Sequence, residues 1–245
     1  MILPQKPSYN EKIEIPNELG IEVFVKREDV LHAEISGNKF RKLTYNLEEA
    51  KQQGKTKLLT FGGAYSNHIA AVAAAGRDYG FETIGVIRGE ELEWKYQENP
   101  TLKKASQDGM QFYFATRTQY RNKTNADFLE NLHQQFGDFY IIPEGGTNEF
   151  AVKGCEEILT DEDAVFNFVC CAVGTGGTIS GIINSLKPHQ KALGFPALKG
   201  DFLFNDIQKY VKNTQWDLVT DYHFGGYAKI NTELKLFLNS FYQKY

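Results

Sequence analysis

Lys57-Leu58-Leu59-Thr60-Phe61-Gly62-Gly63-Ala64-Tyr65-Ser66-Asn67-His68 is the stretch from which the fold can be read. It opens as a short apolar run, breaks at Gly62-Gly63, and leads into an Ala-rich segment that Ser66 or Asn67 can cap. A strand, a Gly-rich turn and a helix in that order form the repeating unit of a parallel sheet covered by helices. From Leu58 onward the same alternation continues. Strands are predicted near residues 57–61, 83–88, 111–115, 139–142, 166–173, 191–195 and 217–220. Helices are predicted over 39–53, 66–79, 100–108 and 127–136, with Asn99 capping Pro100 and Gly137 closing the last. The fold class is α/β.

The composition narrows what such a fold can do. A chain of 245 residues forms one large or two small lobes, and 42% hydrophobic with 24% charged residues argues against wholesale disorder. A formal charge of -4 gives no general attraction for nucleic acid or an anionic membrane, so any bound anion must be held locally. The N-terminus does not read as a secretory signal, and the longest apolar run, residues 166–173, is far too short to span a bilayer. Cys170 and Cys171 fall inside a predicted buried strand, and Cys155 has no CxxC partner. Reduced thiols in a cytoplasmic setting follow, and no metal site is expected.

Three Gly-rich turns carry the candidate chemistry. In Ser36-Gly37-Asn38-Lys39-Phe40-Arg41-Lys42, Lys39 stands between a Gly-Asn turn and a helix whose apolar face is Phe40, Leu43, Leu47 and Ala50. Such a lysine either lies on a solvated face or is held near an anionic cofactor. Gly174-Thr175-Gly176-Gly177-Thr178 follows the most apolar strand and enters a helix, offering backbone N–H groups and the positive end of the helix dipole to a phosphate. The dinucleotide fingerprint would need Gly at 179, where Ile stands, and no Walker Lys-Ser/Thr pair follows. A tight turn needing positive φ is the competing reading for one or two of these glycines. Ser66-Asn67-His68 places three polar groups where a single cap would suffice, and no G-x-S-x-G elbow makes Ser66 a hydrolase nucleophile. His68 is either a satisfied structural histidine or part of the site. Pro143-Glu144-Gly145-Gly146-Thr147-Asn148 is either a capped loop or a ligand wall, and Phe224-Gly225-Gly226-Tyr227 sets an aromatic hydroxyl for packing or for a substrate pocket. A phosphate cradle, a lysine at a helix start and a polar Ser-Asn-His loop together point to a phosphorylated aldehyde cofactor held by a lysine.

As an ordered set, Gly37 to Lys42, Gly62 to His68, Pro143 to Asn148, Gly174 to Thr178 and Phe224 to Tyr227 resemble the 1-aminocyclopropane-1-carboxylate deaminase/D-cysteine desulfhydrase family. That family belongs to the fold-type II, tryptophan-synthase-β-like pyridoxal-phosphate enzymes. The resemblance implies a two-lobed, three-layer αβα fold, with residues 44–143 as a smaller lobe and 1–43 plus 144–245 as a larger, cofactor-holding lobe. It implies pyridoxal 5'-phosphate as cofactor, an internal aldimine on Lys39, and Lys42 or Arg41 near the phosphate. Asn67 would meet the pyridine 3'-oxygen, and the backbone of Gly174, Thr175, Gly176, Gly177 and Thr178 the phosphate. Ser66, Asn67 and His68 would face the substrate, chiefly its carboxylate. Lys39, Ser66 and Tyr227 are thus the catalytic candidates. The implied activity is that of a lyase or deaminase of a small amino acid, D-cysteine-like before cyclopropane-like, in a homo-oligomer, a dimer.

One departure from the family pattern bears on the activity. The family continues for several dozen residues past the helix equivalent to residues 232–245, with the group that faces the pyridine nitrogen, so this chain is expected to be C-terminally shortened. Leu234, Phe237, Leu238 and Phe241 recur at helical spacing in that last helix. Such a stripe needs a partner surface. The alternative function is therefore a catalytically incompetent protein that acts through binding or oligomerisation.

Overall fold

In the computed structural model, which describes residues 3–226 and 229–244, the alternating runs of the sequence become parallel strands and their covering helices. Contacts divide the chain into two units, Met1–Gly154 and Cys155–Tyr245.

The first unit opens with an antiparallel pair, β1 (Asn10–Ile13) and β2 (Val23–Lys26), in register Asn10 opposite Lys26. Then come α1 (Asn38–Gln52), β3 (Lys57–Gly62), α2 (Asn67–Tyr79), β4 (Glu82–Arg88) and α3 (Pro100–Gln107). The unit closes with β5 (Gln111–Ala115), α4 (Arg117–Arg121), α5 (Ala126–Phe136), β6 (Tyr140–Ile142) and α6 (Glu149–Cys155). The strands form a parallel sheet in the order β5-β4-β3-β6.

Burial on both faces explains why β3 is an almost continuous apolar run. Leu58 packs in one cluster with Leu43 and Leu47 of α1 and Val72 and Ala75 of α2. Leu59 and Phe61 pack in another, with Tyr120 of α4 and Phe128 and Leu132 of α5. Helix starts follow local chemistry: Ser66 Oγ accepts from Ile69 N–H at 3.3 Å, and Asn99 Oδ1 accepts from Leu102 N–H at 3.0 Å ahead of Pro100. Because β3 and β6 are parallel neighbours, with Thr60 opposite Ile142, the turns at 62–68 and 143–147 leave the sheet from the same end. Open parallel sheets bind ligands at that carboxyl end.

The second unit contains β7 (Phe168–Val173), α7 (Gly177–Ser185), β8 (Lys191–Pro196), α8 (Phe202–Gln208), β9 (Trp216–Leu218) and α9 (Thr232–Lys244). Its parallel sheet has the order β7-β8-β9. Val169, Cys171 and Val173 of β7 pack with Ile179 and Ile183 of α7 and Ile207 of α8. The opposite face carries exposed Phe168, Cys170 and Ala172. The expectation of a wholly buried strand is therefore corrected: β7 is covered on one face, Cys170 is exposed, and the buried thiol is Cys155. No helix of the described residues is long and apolar enough to cross a membrane.

Candidate active site

Gly37 adopts φ 60°, a left-handed conformation open to glycine, and turns the chain into α1 so that Lys39 lies in its first turn. Lys39 Nζ donates to the Gly145 carbonyl oxygen at 3.4 Å. Lys42, one helical turn on, donates to the same oxygen at 3.0 Å and to Thr147 Oγ1 at 3.1 Å. Only 2% of Lys42 is exposed, so both bonds offset the cost of burying its ammonium. Arg41 points elsewhere, its Nε and Nη2 donating to Glu28 at 2.8 and 3.0 Å in a two-pronged pair.

The 143–148 turn that receives both lysines is itself anchored from two sides. Tyr120 Oη–H donates to Glu144 Oε1 at 2.8 Å, and Lys123 pairs with Glu144 Oε2 at 3.0 Å. Burial, and then the Glu144 carboxylate beside it, push the Tyr120 phenol well above its ordinary value, so it remains a donor. Asn148 Oδ1 accepts from Ala151 N–H at 2.9 Å at the start of α6. Its amide also exchanges hydrogen bonds with Asn46 at 3.1 and 2.7 Å, and Tyr140 Oη–H donates to Asn46 Oδ1 at 3.1 Å. The carbonyl of Gly145 is thus a fixed acceptor.

Ser66, Asn67 and His68 diverge although they are consecutive. Ser66 caps α2 and is half-buried, Asn67 is exposed, and His68 is buried. The His68 ring turns inward, with Nε2 2.8 Å from Thr60 Oγ1. Burial first, then the charges of Lys39 and Lys42, hold its pKa well below the ordinary value, so the imidazole is neutral.

In the second unit, Gly176 has φ 83°, and a Cβ there would stand 2.9 Å from Ile207 Cγ1, so both conformation and packing call for glycine. A Cβ on Gly174 would meet nothing within 4 Å, which leaves its backbone open to close approach. No side chain at the N-cap position bonds to the first N–H groups of α7.

Lys39, Lys42, His68 and the 143–147 turn come together, with Ser66 and Asn67 beside them at the start of α2. Gly174 to Thr178 belong to the second unit, and Tyr227 lies outside the described residues. Sequence reading did not single out the Gly145 carbonyl, Thr60 or the Tyr120–Glu144 pair. Their partners are 24 to 106 residues away in the chain for Glu144 and Gly145, and nothing in the local pattern marks them.

Comparison with known proteins gives a consistent set. The family model described as pyridoxal-phosphate dependent enzyme matches residues 11–200. A Thermotoga maritima protein named putative 1-aminocyclopropane-1-carboxylate deaminase is 30% identical over 242 residues, covering 89% of this chain and 76% of the relative. A D-cysteine desulfhydrase of Yersinia enterocolitica is 27% identical over 188 residues, covering 72% of this chain and 57% of that protein. Among solved structures, one described as an ACC deaminase homologue matches with TM-score 0.78 at 28% identity, over 98% of this chain and 78% of that one.

Proposed function

The chain belongs to the pyridoxal-phosphate dependent enzyme family, of fold-type II, and from that premise we propose a lyase or deaminase of a small amino acid with Lys39 as the residue that takes the cofactor's aldehyde. D-cysteine desulfhydrase-like activity comes before 1-aminocyclopropane-1-carboxylate deaminase-like activity in this reading. The observation that carries it is the pair of lysine amines on one fixed carbonyl, one buried and doubly bonded, the other half-buried at the helix start. Lys42 holds the 143–147 turn by two hydrogen bonds, and Lys39 stands one turn earlier, half-buried at the helix start.

The residues present fit the cofactor. The bare backbone at Gly174 and the uncapped start of α7 suit a phosphate, and the exposed Asn67 amide suits a phenolate oxygen. Bound pyridoxal phosphate supplies an electron sink for the pair left at the substrate Cα. Within this chain, Lys39 Nζ is the group to take the Cα proton, and its contact with the Gly145 carbonyl orients it. Ser66 Oγ–H and the backbone N–H groups at the start of α2 receive the substrate carboxylate. Tyr227 remains a catalytic candidate of the same reading. The lobe division at 44–143, a homodimeric state and a cytoplasmic location accompany it.

Adding pyridoxal phosphate to the protein gives an absorption band that Lys39→Ala abolishes, and D-cysteine then yields pyruvate, ammonia and sulfide. No band in the intact protein contradicts the proposal. A second reading keeps the cofactor without turnover, in a protein that acts by binding or oligomerisation. It is favoured by α9, on which Phe237 is 56% and Leu238 52% exposed. Cofactor binding with no product from D-cysteine, together with a self-associated species in light scattering, selects it.

A further inference from the structure

The segment that delivers Lys39 to α1 lies outside every strand and helix over residues 32–37, so its backbone must find partners elsewhere. Side chains supply them. Gln5 Oε1 accepts from Ala33 N–H at 3.3 Å, and His32 Nδ1 accepts from Glu34 N–H at 3.2 Å and Ile35 N–H at 3.0 Å. Backbone bonding resumes at Lys39 and Phe40, whose N–H groups donate to the Ser36 and Gly37 carbonyls. In histidine Nδ1 is attached to Cγ, as Oδ1 is in asparagine, so His32 closes this turn in the way an Asx residue does.

The ring reaches further than an asparagine would. A nitrogen that accepts two N–H bonds carries no proton, so the proton of the neutral ring is on Nε2, which stands 3.4 Å from Asp78 Oδ2 in the last turn of α2. The face of the ring lies against Phe40, the residue after Lys39, with 6.3 Å between centroids and 22° between planes. Only 6% of His32 is exposed. Glu34, whose N–H it holds, pairs with Arg77 of α2 and, at 2.9 Å, with Lys104 of α3. The entry to α1 is thereby fastened to the helix whose other end carries Ser66 and His68.

We propose that His32 is a positioning residue for Lys39: by closing the 32–35 turn on α2 it sets the first turn of α1, and with it the reach of the Lys39 amine to the Gly145 carbonyl. The role assigned to the lysine rests on the proposed function, whereas its placement is a property of the cofactor-free protein.

Two variants test this. His32→Leu fills the space without an acceptor, whereas His32→Asn keeps the acceptor and leaves Glu34 to anchor the turn on Arg77 and Lys104. In the cofactor-free protein, imidazole ¹⁵N spectra are expected to show the Nε2–H tautomer of His32. The Gly145 carbonyl ¹³C resonance moves in His32→Leu and stays in place in His32→Asn. With pyridoxal phosphate added, the rate of borohydride-trapped attachment at Lys39, taken per folded molecule, falls by about tenfold in His32→Leu, the size of one hydrogen bond, and is retained in His32→Asn. An Nδ1–H tautomer, a Gly145 resonance indifferent to His32→Leu, or a trapping rate per folded molecule that is unchanged in His32→Leu or equally lowered in both variants overturns the inference. If wild-type Lys39 takes no label, the proposed function fails, while the Gly145 resonance in the two cofactor-free variants still decides the placement.

Discussion

Two Gly-rich strand-to-helix turns, one in each unit, look alike in sequence and are built differently. After β3, Ser66 closes the start of α2, and His68 is drawn inward toward Thr60. After β7, Gly176 leaves α7 with no side-chain cap, and glycine is required there by both φ and the nearness of Ile207. The first turn works through side chains set among fixed acceptors. The second offers backbone N–H groups at a helix start whose N-cap residue has no side chain. A side-chain site loses its chemistry when one group is removed and keeps its fold, whereas a backbone site is damaged through its conformation.

The largest expected effect sharpens this contrast. Lys39→Ala removes cofactor attachment entirely, read by absorption, while urea unfolding changes by no more than about 0.5 kcal/mol because the residue is only half-buried. Deep in the same unit, Leu58→Ala costs about 2–5 kcal/mol by leaving a cavity between β3 and the α1–α2 layer, read in the same unfolding experiment. Gly176→Val costs about 1–3 kcal/mol from backbone strain and weakens cofactor binding together with stability, measured by titration and unfolding in parallel. Loss of binding without loss of stability at Gly176 would break the comparison.

The pH dependence separates the turns more finely. The His68 pKa is lowered in the folded state, so the unfolded chain binds the extra proton first. Stability from this group is fully present above the ordinary histidine pKa of about 6.5 and is lost as pH falls from there toward the lowered native value. In His68→Gln that part of the acid-side slope disappears from unfolding curves taken between pH 7 and 5. Ser66→Ala costs about 1 kcal/mol from the lost cap, with a raised KM for the amino acid as its second readout.

These differences also mark where sequence reading reached its limit. The parallel strands were legible because β3 and β4 are buried on both faces and so read as continuous apolar runs. Their helices announced themselves through Ser66, Asn99-Pro100 and Gly137. The β1–β2 pair was not anticipated, since its burial pattern is half-buried at the ends and exposed between, leaving no apolar alternation to read. Exposure of Cys170 was hidden for the opposite reason, because both faces of β7 are apolar in sequence and only one is covered. Lys39 and Lys42 could be picked out by their place at a helix start. The Gly145 carbonyl could not, because every residue has one and its selection depends on a contact more than a hundred residues away. Ser66, Asn67 and His68 read as one polar cluster, and helical rotation, invisible in a three-residue motif, sends them to different surroundings.

The central claim is that Lys39, and not its buried neighbour Lys42, is the amine that takes the cofactor. Borohydride reduction of the protein loaded with pyridoxal phosphate, followed by peptide mass spectrometry, reads the attachment point directly. A single pyridoxyl group on Lys39 is the predicted result. Label on Lys42, label spread over surface lysines, or no label at all would contradict it.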